Sequence, residues 1–343
     1  MRTLLLILLT ALLAGCTAGP GPSSPAGQTS AGTPSESAAV APARIGLSYI
    51  PNVQFAPFYV AEADGLLTAG TGVAATLRHH GAQEGLFTAI ATGQEEFVLA
   101  GADEMLQARE TGLDLVAVAT YYREYPVVVI VKQASPIASL ADLKGKRIGV
   151  PGRFGSNWFG LLVALRTAGL TVDDVEVVEI GFTQQVALNG DKVDAVVGFA
   201  NNDLVQFQLA GVPVRSLAIA DGVPPLVGHS LITTRAYLDA HPDVVRGVAE
   251  AMVAGINAVA ADTTGERTLA VTAQQVPGLT GQALEAARAT LKATVPIMTD
   301  HGHADGRLNR DTWQAMGEFM LQAGLLTRPA DIPAAIAPEI LGD

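Results

Sequence analysis

Residues 45–67 read IGLSYIPNVQFAPFYVAEADGLL, which is a strand-like run, a Pro-Asn turn and a helix-length segment. Phe55, Phe58 and Tyr59 lie close together here, although aromatic residues make up only 5% of the chain. A strand followed directly by a helix is the repeating unit of α/β layers. The turn falls at the carboxyl end of the strand, where ligands of such layers bind, and is therefore the first candidate for a binding site.

The same alternation continues to about residue 210. Short β-rich runs bounded by turn residues predict strands, and the segments between them have helical length and patterning. Strands are predicted at 43–50, 73–80, 97–101, 115–122, 127–132, 147–152, 175–181 and 194–200, and helices at 55–66, 84–92, 103–111, 156–168 and 202–210. The predicted fold class is α/β, with mainly parallel sheets flanked by helices.

The C-terminal third is predicted to be mainly helical. In segment 241–262, Pro242 stands where a first helical residue is expected, and Asp243 falls in the first turn. Apolar residues then recur at helical spacing and mark one buried face. Segments 281–294 and 309–324 are predicted helices too, so this part of the chain should pack on one of the sheets.

Two sheets fit the order of these elements better than one. The run YPVVVIVK at 125–132 leads into a new series of strand-helix units, and GHSLITTRAYL at 228–238 has the pattern of a return strand. We predict one lobe from residues 44–128 and 229–343, and an inserted second lobe from residues 129–228. A ligand is then expected in the crevice between the lobes.

The N-terminal residues have the pattern of a secretory signal. One arginine precedes an apolar run from Leu4 to Leu13, which is too short for a membrane span. The sequence LAGC at 13–16 resembles the bacterial lipobox, in which the cysteine becomes the lipidated first residue. We predict a signal peptide at 1–15, a lipid-anchored Cys16 and a flexible tether at 16–43. An incidental cysteine and an O-glycosylated tether are the alternatives.

Composition and charge exclude several classes of function. The formal net charge is −12, from 21 basic and 33 acidic side chains, and no basic stripe interrupts it, so nucleic acid is not an expected partner. Cys16 is the only cysteine, which excludes a disulfide within the chain. Neighbouring residues on a strand point to opposite faces, so His79 and His80 do not predict a metal site. No Gly-x-Ser-x-Gly elbow indicates a hydrolase.

The ordered motifs resemble those of a known family. IGLSYIPNVQFAPFYVAEADGLL, GQEEFVLAGADEMLQARETG, SLADLKGKRIGVP and HPDVVRGVAEA are similar, in this order, to segments of the periplasmic solute-binding proteins of ABC importers for thiamine precursors, riboflavin, and sulfonates or nitrate. The resemblance covers about residues 44–326. It implies a two-lobed, hinged periplasmic-binding-protein fold (type II), a monomer without a cofactor, and delivery of a small molecule to a membrane permease and its ATPase.

Residues that follow the predicted strands are the candidates for ligand contact. They are Asn52, Phe55, Tyr59, Gln83, Asp103, Tyr122, Arg153, Phe154, Ser156, Trp158, Asn201 and Asn202. Starting or capping a helix is the alternative for the amides and for Asp103, and covering the sheet is the alternative for Tyr122. The turn before Ser156 would present backbone N–H groups to an anion or a carbonyl edge. Arg153 is the only cation in the set.

The identity of Phe55 bears on the ligand. The resemblance places Phe55 where thiamine-precursor binders usually have a histidine, while Asn52 and Tyr59 match them. Phe55 offers an apolar face in place of a ring nitrogen. Together with the other rings and neutral amides, this favours a flat, vitamin-like heterocycle, with riboflavin ahead of a thiamine pyrimidine precursor.

Other readings of the resemblance remain open. An alkanesulfonate, taurine or nitrate binder is one alternative, and a sensor lipoprotein that delivers nothing is another. A related eukaryotic branch of the family makes the thiamine pyrimidine as an enzyme. That chemistry is associated with features rich in histidine and cysteine. This chain has no cysteine beyond Cys16 and has Phe55 where the histidine is expected, so we expect no enzyme.

Overall fold

A computed structural model describes residues 43–72, 75–81 and 84–342. The predicted signal peptide, Cys16, nearly all of the tether, and the candidate Gln83 lie outside these ranges. Strands within them are β1 (Ala43–Leu47), β2 (Ala75–His79), β3 (Phe97–Gly101), β4 (Leu115–Thr120), β5 (Val127–Lys132), β6 (Arg147–Val150), β7 (Glu176–Glu179), β8 (Ala195–Phe199), β9 (Val214–Ala218) and β10 (His229–Thr234).

The described helices surround these strands. They are α1 (Ala56–Ala63), α2 (Leu66–Thr71), α3 (Thr88–Ala91), α4 (Ala102–Glu110), α5 (Gly155–Thr167), α6 (Gln184–Asn189), α7 (Asp203–Leu209), α8 (Arg235–Ala240), α9 (Pro242–Ala261), α10 (Glu266–Gln275), α11 (Gly281–Met298), α12 (Arg310–Gln322) and α13 (Ile332–Ala335). Short 3₁₀ turns occur at Val53–Phe55, Leu140–Leu143, Val172–Asp174 and Pro338–Ile340.

The strands form two five-stranded sheets, ordered β2-β1-β3-β10-β4 and β7-β6-β8-β5-β9. In the first, β1 pairs in parallel with β2 and β3, whereas β10 runs antiparallel to β3 and β4. In the second, β6 pairs in parallel with β7 and β8, whereas β5 runs antiparallel to β8 and β9. Each sheet is therefore mainly parallel with one antiparallel strand, which confirms the predicted fold class.

The chain passes between the sheets twice, at residues 121–126 and 219–228. The first crossing contacts the end of the second, because the Tyr121 and Tyr122 N–H groups both donate to the His229 carbonyl, at 2.9 and 3.0 Å. The first sheet takes its strands from residues 43–120 and 229–234, and the second from residues 127–218. The exact lobe boundaries remain a prediction.

Helix α9 is the main helix on the first sheet. Pro242 stands at its first turn with Asp243, as predicted, and its apolar face packs against α1 and α2. Gly255 lies directly against the Pro57 carbonyl of α1. By length and composition α9 could cross a membrane, but just over half of its apolar window is buried inside the protein, so its role here is that of a core helix. It holds α1, and with it the turn 52–55, against the sheet.

Candidate functional site

A cavity of about 760 Å³ lies between the carboxyl ends of the two sheets. This volume falls in the range of about 300–1,000 Å³ that is usual for small-molecule sites. Its walls come from the segments after β1, β2, β3 and β4 on one side and after β6, β7 and β8 on the other. The crevice predicted from the strand order is therefore present.

Aromatic rings from both sheets face this cavity. Tyr49 and Tyr122 line it from the first sheet, and Phe154, Phe182 and Phe199 from the second. The Tyr49 and Phe182 rings meet edge to face with centroids 5.1 Å apart, so they bridge the crevice. Phe154 is 56% exposed and Phe182 is 45% exposed. Large rings left open at a cavity are typical of a ligand-binding surface, since a flat ligand would cover their faces.

Two helices of the second sheet begin at the cavity, and each meets a carboxyl group of the protein. Glu104 of α4 faces the Gly155 backbone at the start of α5, and burial together with neighbouring Asp103 raises the pKa of Glu104 well above its usual value. Asp203, in the first turn of α7, accepts the Phe199 N–H at 2.7 Å, and burial raises its pKa to about 6. Helix N-termini attract anions, so these carboxyl groups stand where an anionic ligand would otherwise bind.

The electrostatics of the wall are therefore neutral to acidic. Among the described residues that line the cavity there is no lysine and no arginine, whereas Glu84, Glu104 and Asp203 all line it. A buried anion without a cationic partner is unfavourable. The described part of the wall therefore offers no cationic side chain to an anionic ligand.

Five of the predicted contact residues line the cavity: Phe55, Tyr122, Phe154, Ser156 and Asn202. Phe55 lies edge to face with the His79 ring at 5.5 Å. The Tyr122 ring lies against the His229 ring at 5.3 Å, and its hydroxyl is 3.5 Å from Gln54 Nε2. These two residues bring the first strand end and the crossing segment to one surface.

Asn52 and Tyr59 do not line the cavity. Asn52 Oδ1 accepts the Gln54 N–H at 2.9 Å and caps the 3₁₀ turn that follows it. Tyr59 is only 1% exposed, and its hydroxyl lies 3.0 Å from His79 Nε2. Tyr59, predicted as a ligand contact, lies in the core of the first sheet, because α1 turns its ring inward.

Asp103 and Asn201 are also buried behind the wall. Asp103 is fully buried and accepts the Tyr125 hydroxyl at 2.7 Å, and burial raises its pKa to about 6. Asn201 is 1% exposed, and its Nδ2 donates to Thr294 Oγ1 at 2.9 Å. The side chains of both residues therefore bond to other parts of the protein behind the wall. The residues that directly follow them, Glu104 and Asn202, line the cavity instead.

Arg153 and Trp158 pair with each other outside the cavity. The Arg153 guanidinium lies over the Trp158 ring at 5.2 Å from its centroid, and its Nε is 3.5 Å from Glu179. The nearby Phe154 and Ser156 line the cavity. Arg153 and Trp158, both predicted as ligand contacts, do not line this cavity.

Several cavity residues were not selected from the sequence. Phe182 follows β7, so the rule that ligands contact strand ends would have found it. His229 begins β10, and because β10 runs antiparallel its first residue lies at the carboxyl edge of the sheet. His80 was considered only as a metal ligand and was rejected as one. The His79 ring contacts the Tyr49 carbonyl and the His80 ring contacts the Glu95 carboxylate.

Three buried polar atoms around the cavity have no hydrogen-bond partner among the described residues: His80 Nδ1, Asn157 Oδ1 and His229 Nδ1. All three residues line the cavity. Burial lowers the pKa of His229 to about 4, so its ring is neutral at neutral pH. An unpartnered buried polar atom is costly, and a polar ligand would satisfy these groups.

The neighbouring carboxyl groups of Asp103 and Glu104 predict a pH dependence of stability. Glu104 and Asp103 have raised pKa values in the folded state, so the folded protein binds more protons than the unfolded chain. The contribution of these two groups to the free energy of unfolding is therefore full below about pH 4, and it is lost as pH rises through their folded-state pKa values. In urea unfolding at pH 5.0 and 7.5, the free energy of unfolding of Glu104→Gln, relative to that of the unmodified protein, should rise by about 1 kcal/mol between the lower and the higher pH. Glu250→Gln, at an exposed site, is the control. Equal pH profiles for the protein and Glu104→Gln would contradict this.

Two mixed sheets, joined by two crossings around a ligand-sized cavity, define the periplasmic-binding-protein fold. The alkanesulfonate-binding protein SsuA from Xanthomonas axonopodis pv. citri, solved bound to MOPS, superposes with a TM-score of 0.67 over 86% of this chain and 98% of that one, at 21% identity. At this identity the likeness shows the fold alone.

The family follows from sequence comparison. The NMT1/THI5-like family matches residues 52–264, and the chain belongs to it. Riboflavin-binding protein RibY of Chloroflexus aurantiacus is 34% identical over 98% of this chain and 96% of that protein. A 4-amino-5-hydroxymethyl-2-methylpyrimidine phosphate synthase of Legionella pneumophila is 28% identical over 35% of this chain and 37% of the synthase. The predicted family resemblance is confirmed.

Proposed function

We propose that the protein is the extracytoplasmic substrate-binding component of an ABC importer, and that it captures a neutral, flat heterocycle, with riboflavin favoured. The observation that carries this proposal is the cavity wall, which has rings from both sheets and no lysine or arginine among its described residues. The likeness to riboflavin-binding protein RibY over nearly the whole chain supports the same ligand.

Capture would work by stacking between the two walls. Phe154 and Phe182 offer open ring faces from one sheet, and Tyr49 and Phe55 offer rings from the other. A ligand that touches both walls binds a closed form more tightly than an open one and shifts the population toward closure. The two crossings at 121–126 and 219–228 are the segments about which the lobes would move.

The acidic helix starts argue against the alternative anionic ligands. A sulfonate, nitrate or phosphate needs N–H donors or cations, but Glu104 and Asp203 stand at the starts of α5 and α7. A thiamine pyrimidine precursor without phosphate is compatible with this wall, and it remains the alternative ligand.

Delivery and location complete the proposal. Lipidation at Cys16 would tether the folded part to the membrane through residues 16–43, so that the loaded protein remains close to its permease and ATPase. We propose a monomer that performs no catalysis and holds no cofactor or metal. The relatives that support this are named as binding proteins.

A thermal-shift panel tests the proposed ligand class. The purified protein is melted with riboflavin, hydroxymethyl-pyrimidine, taurine and nitrate, each at a concentration near saturation. Riboflavin is expected to raise the melting temperature, since a ligand that binds only the folded state stabilises it. Stabilisation by taurine or nitrate with no effect of riboflavin would overturn the proposal.

Loss of a stacking ring should weaken binding without unfolding the protein. Phe182→Ala removes an exposed ring at the cavity and is expected to weaken riboflavin binding by about 1 to 3 kcal/mol, measured by calorimetric titration. Leu209→Ala is a matched control, because Leu209 is also 45% exposed but does not line the cavity. Equal affinities of the two variants would remove Phe182 from the site.

A further inference from the structure

The edge strand β2 ends at a polar corner of the cavity. His80 is only 3% exposed, and its Nε2 lies 3.0 Å from both oxygens of the buried Glu95 carboxylate. A carboxylate can only accept hydrogen bonds, so the proton on this ring lies at Nε2. His80 Nδ1 is buried and has no partner among the described residues. The ring is therefore fixed with a free hydrogen-bonding atom.

The neighbouring strand β1 leaves space for the His80–Glu95 pair. Gly46 of β1 faces it, and a Cβ at that position would overlap the Glu95 carboxylate and come within 2.7 Å of His80 Nε2. Arg78 holds Glu95 at 2.6 Å and Glu84 at 2.7 Å, so the charge of this arginine is matched by two carboxylates. A larger residue at position 46 would displace the His80–Glu95 pair, so the arrangement of this corner depends on Gly46.

The corner contributes several hydrogen-bonding groups to the cavity. His80, Glu84 and Ser48 all line it. Ser48 directly follows Leu47, whose carbonyl accepts the backbone N–H of His80 at 2.9 Å. Four strand spacings separate β2 from β4 in the first sheet, which at about 4.8 Å each is about 19 Å between the two strand backbones. A flat ring at the aromatic walls would leave room for a polar extension at the corner.

We propose that this corner is a hydroxyl-binding subsite, in which His80 Nδ1, Glu84 and Ser48 hold the hydroxylated side chain of a ring-containing ligand. Hydroxyl groups both donate and accept, so they match an imidazole nitrogen, a carboxylate and a serine hydroxyl together. This inference rests on the proposed function and narrows its ligand to a heterocycle with a polyol chain.

Ligand comparison on the unmodified protein is the first test. Riboflavin and lumiflavin share the tricyclic ring, but lumiflavin has a methyl group in place of the hydroxylated chain. Riboflavin is expected to bind at least about tenfold more tightly. Equal affinities would overturn the subsite and leave the proposed function standing, whereas binding of neither ligand would overturn the proposed function itself.

A variant then locates the effect. His80→Leu should weaken riboflavin binding about tenfold or more and leave lumiflavin binding within about twofold of the unmodified protein. His303→Leu, at an exposed histidine, is the control. An equal loss of both ligands at an unchanged melting temperature would overturn the role of His80. If His80→Leu does not fold, the ligand comparison still decides the proposal.

Discussion

Flavin mononucleotide is expected to bind at least about 100-fold more weakly than riboflavin, although the two share their ring and their carbon chain. The reason is the charge of the cavity wall. Its described residues include Glu84 and Asp203 and no cationic side chain, and the nearby Arg78 is already paired with Glu84 and Glu95. A phosphate brought to this wall would lose hydration and gain no counter-charge.

Competitive titration of riboflavin with the mononucleotide measures this discrimination. Glu84→Gln should reduce it, because one negative charge is removed from the wall, whereas Glu339→Gln, at an exposed site that does not line the cavity, should not. Salt should change the ratio only modestly if the phosphate is buried. Equal affinities for the two flavins would contradict the assignment of a neutral-ligand wall.

The second large effect is expected in folding. Gly255→Val should destabilise the protein by about 3 kcal/mol, since a Cβ at Gly255 would overlap the Pro57 carbonyl and lie 3.0 Å from its carbon. Backbone atoms of α1 cannot move aside as a flexible side chain would. Any relief must shift α1, which carries the turn that presents Phe55.

Urea unfolding compares Gly255→Val with Ala254→Val. Ala254 is half-buried in the same helix. Helix propensity favours valine over glycine but not over alanine, so propensity alone would make Gly255→Val the less destabilising of the two variants. A larger loss of unfolding free energy in Gly255→Val than in Ala254→Val therefore reports the α1–α9 contact. Equal unfolding free energies would show that this contact tolerates a side chain.

The layers of the fold could be predicted from the sequence because strand and helix patterns are local. The return strand predicted within 228–238 was found from its β-rich run; His229–Thr234 form β10, and the residues after them begin α8. Strand β9 and helices α2, α6, α8, α10 and α13 were not predicted. The β9 sequence VRSLA mixes exposed and half-buried positions, so it lacks the apolar alternation that marks a strand.

The candidate site could be predicted only as a set of loops. The position of a residue after a strand identifies the loop, but the local backbone decides which side chain turns toward the cavity. Phe154 therefore lines the wall while Arg153 turns to Trp158. The acidic groups at the helix starts depend on contacts between distant segments, such as Glu104 with Gly155, and no local pattern in the sequence shows them.

Fluorescence titration of riboflavin with the purified protein tests the central claim most directly. The flavin ring should be quenched as it stacks between the aromatic walls, with saturation at one flavin per chain and a dissociation constant of about 1 µM or lower. Phe182→Ala should weaken the binding in the same assay. Unquenched riboflavin at high protein concentration, together with stabilisation of the protein by taurine, would contradict the account.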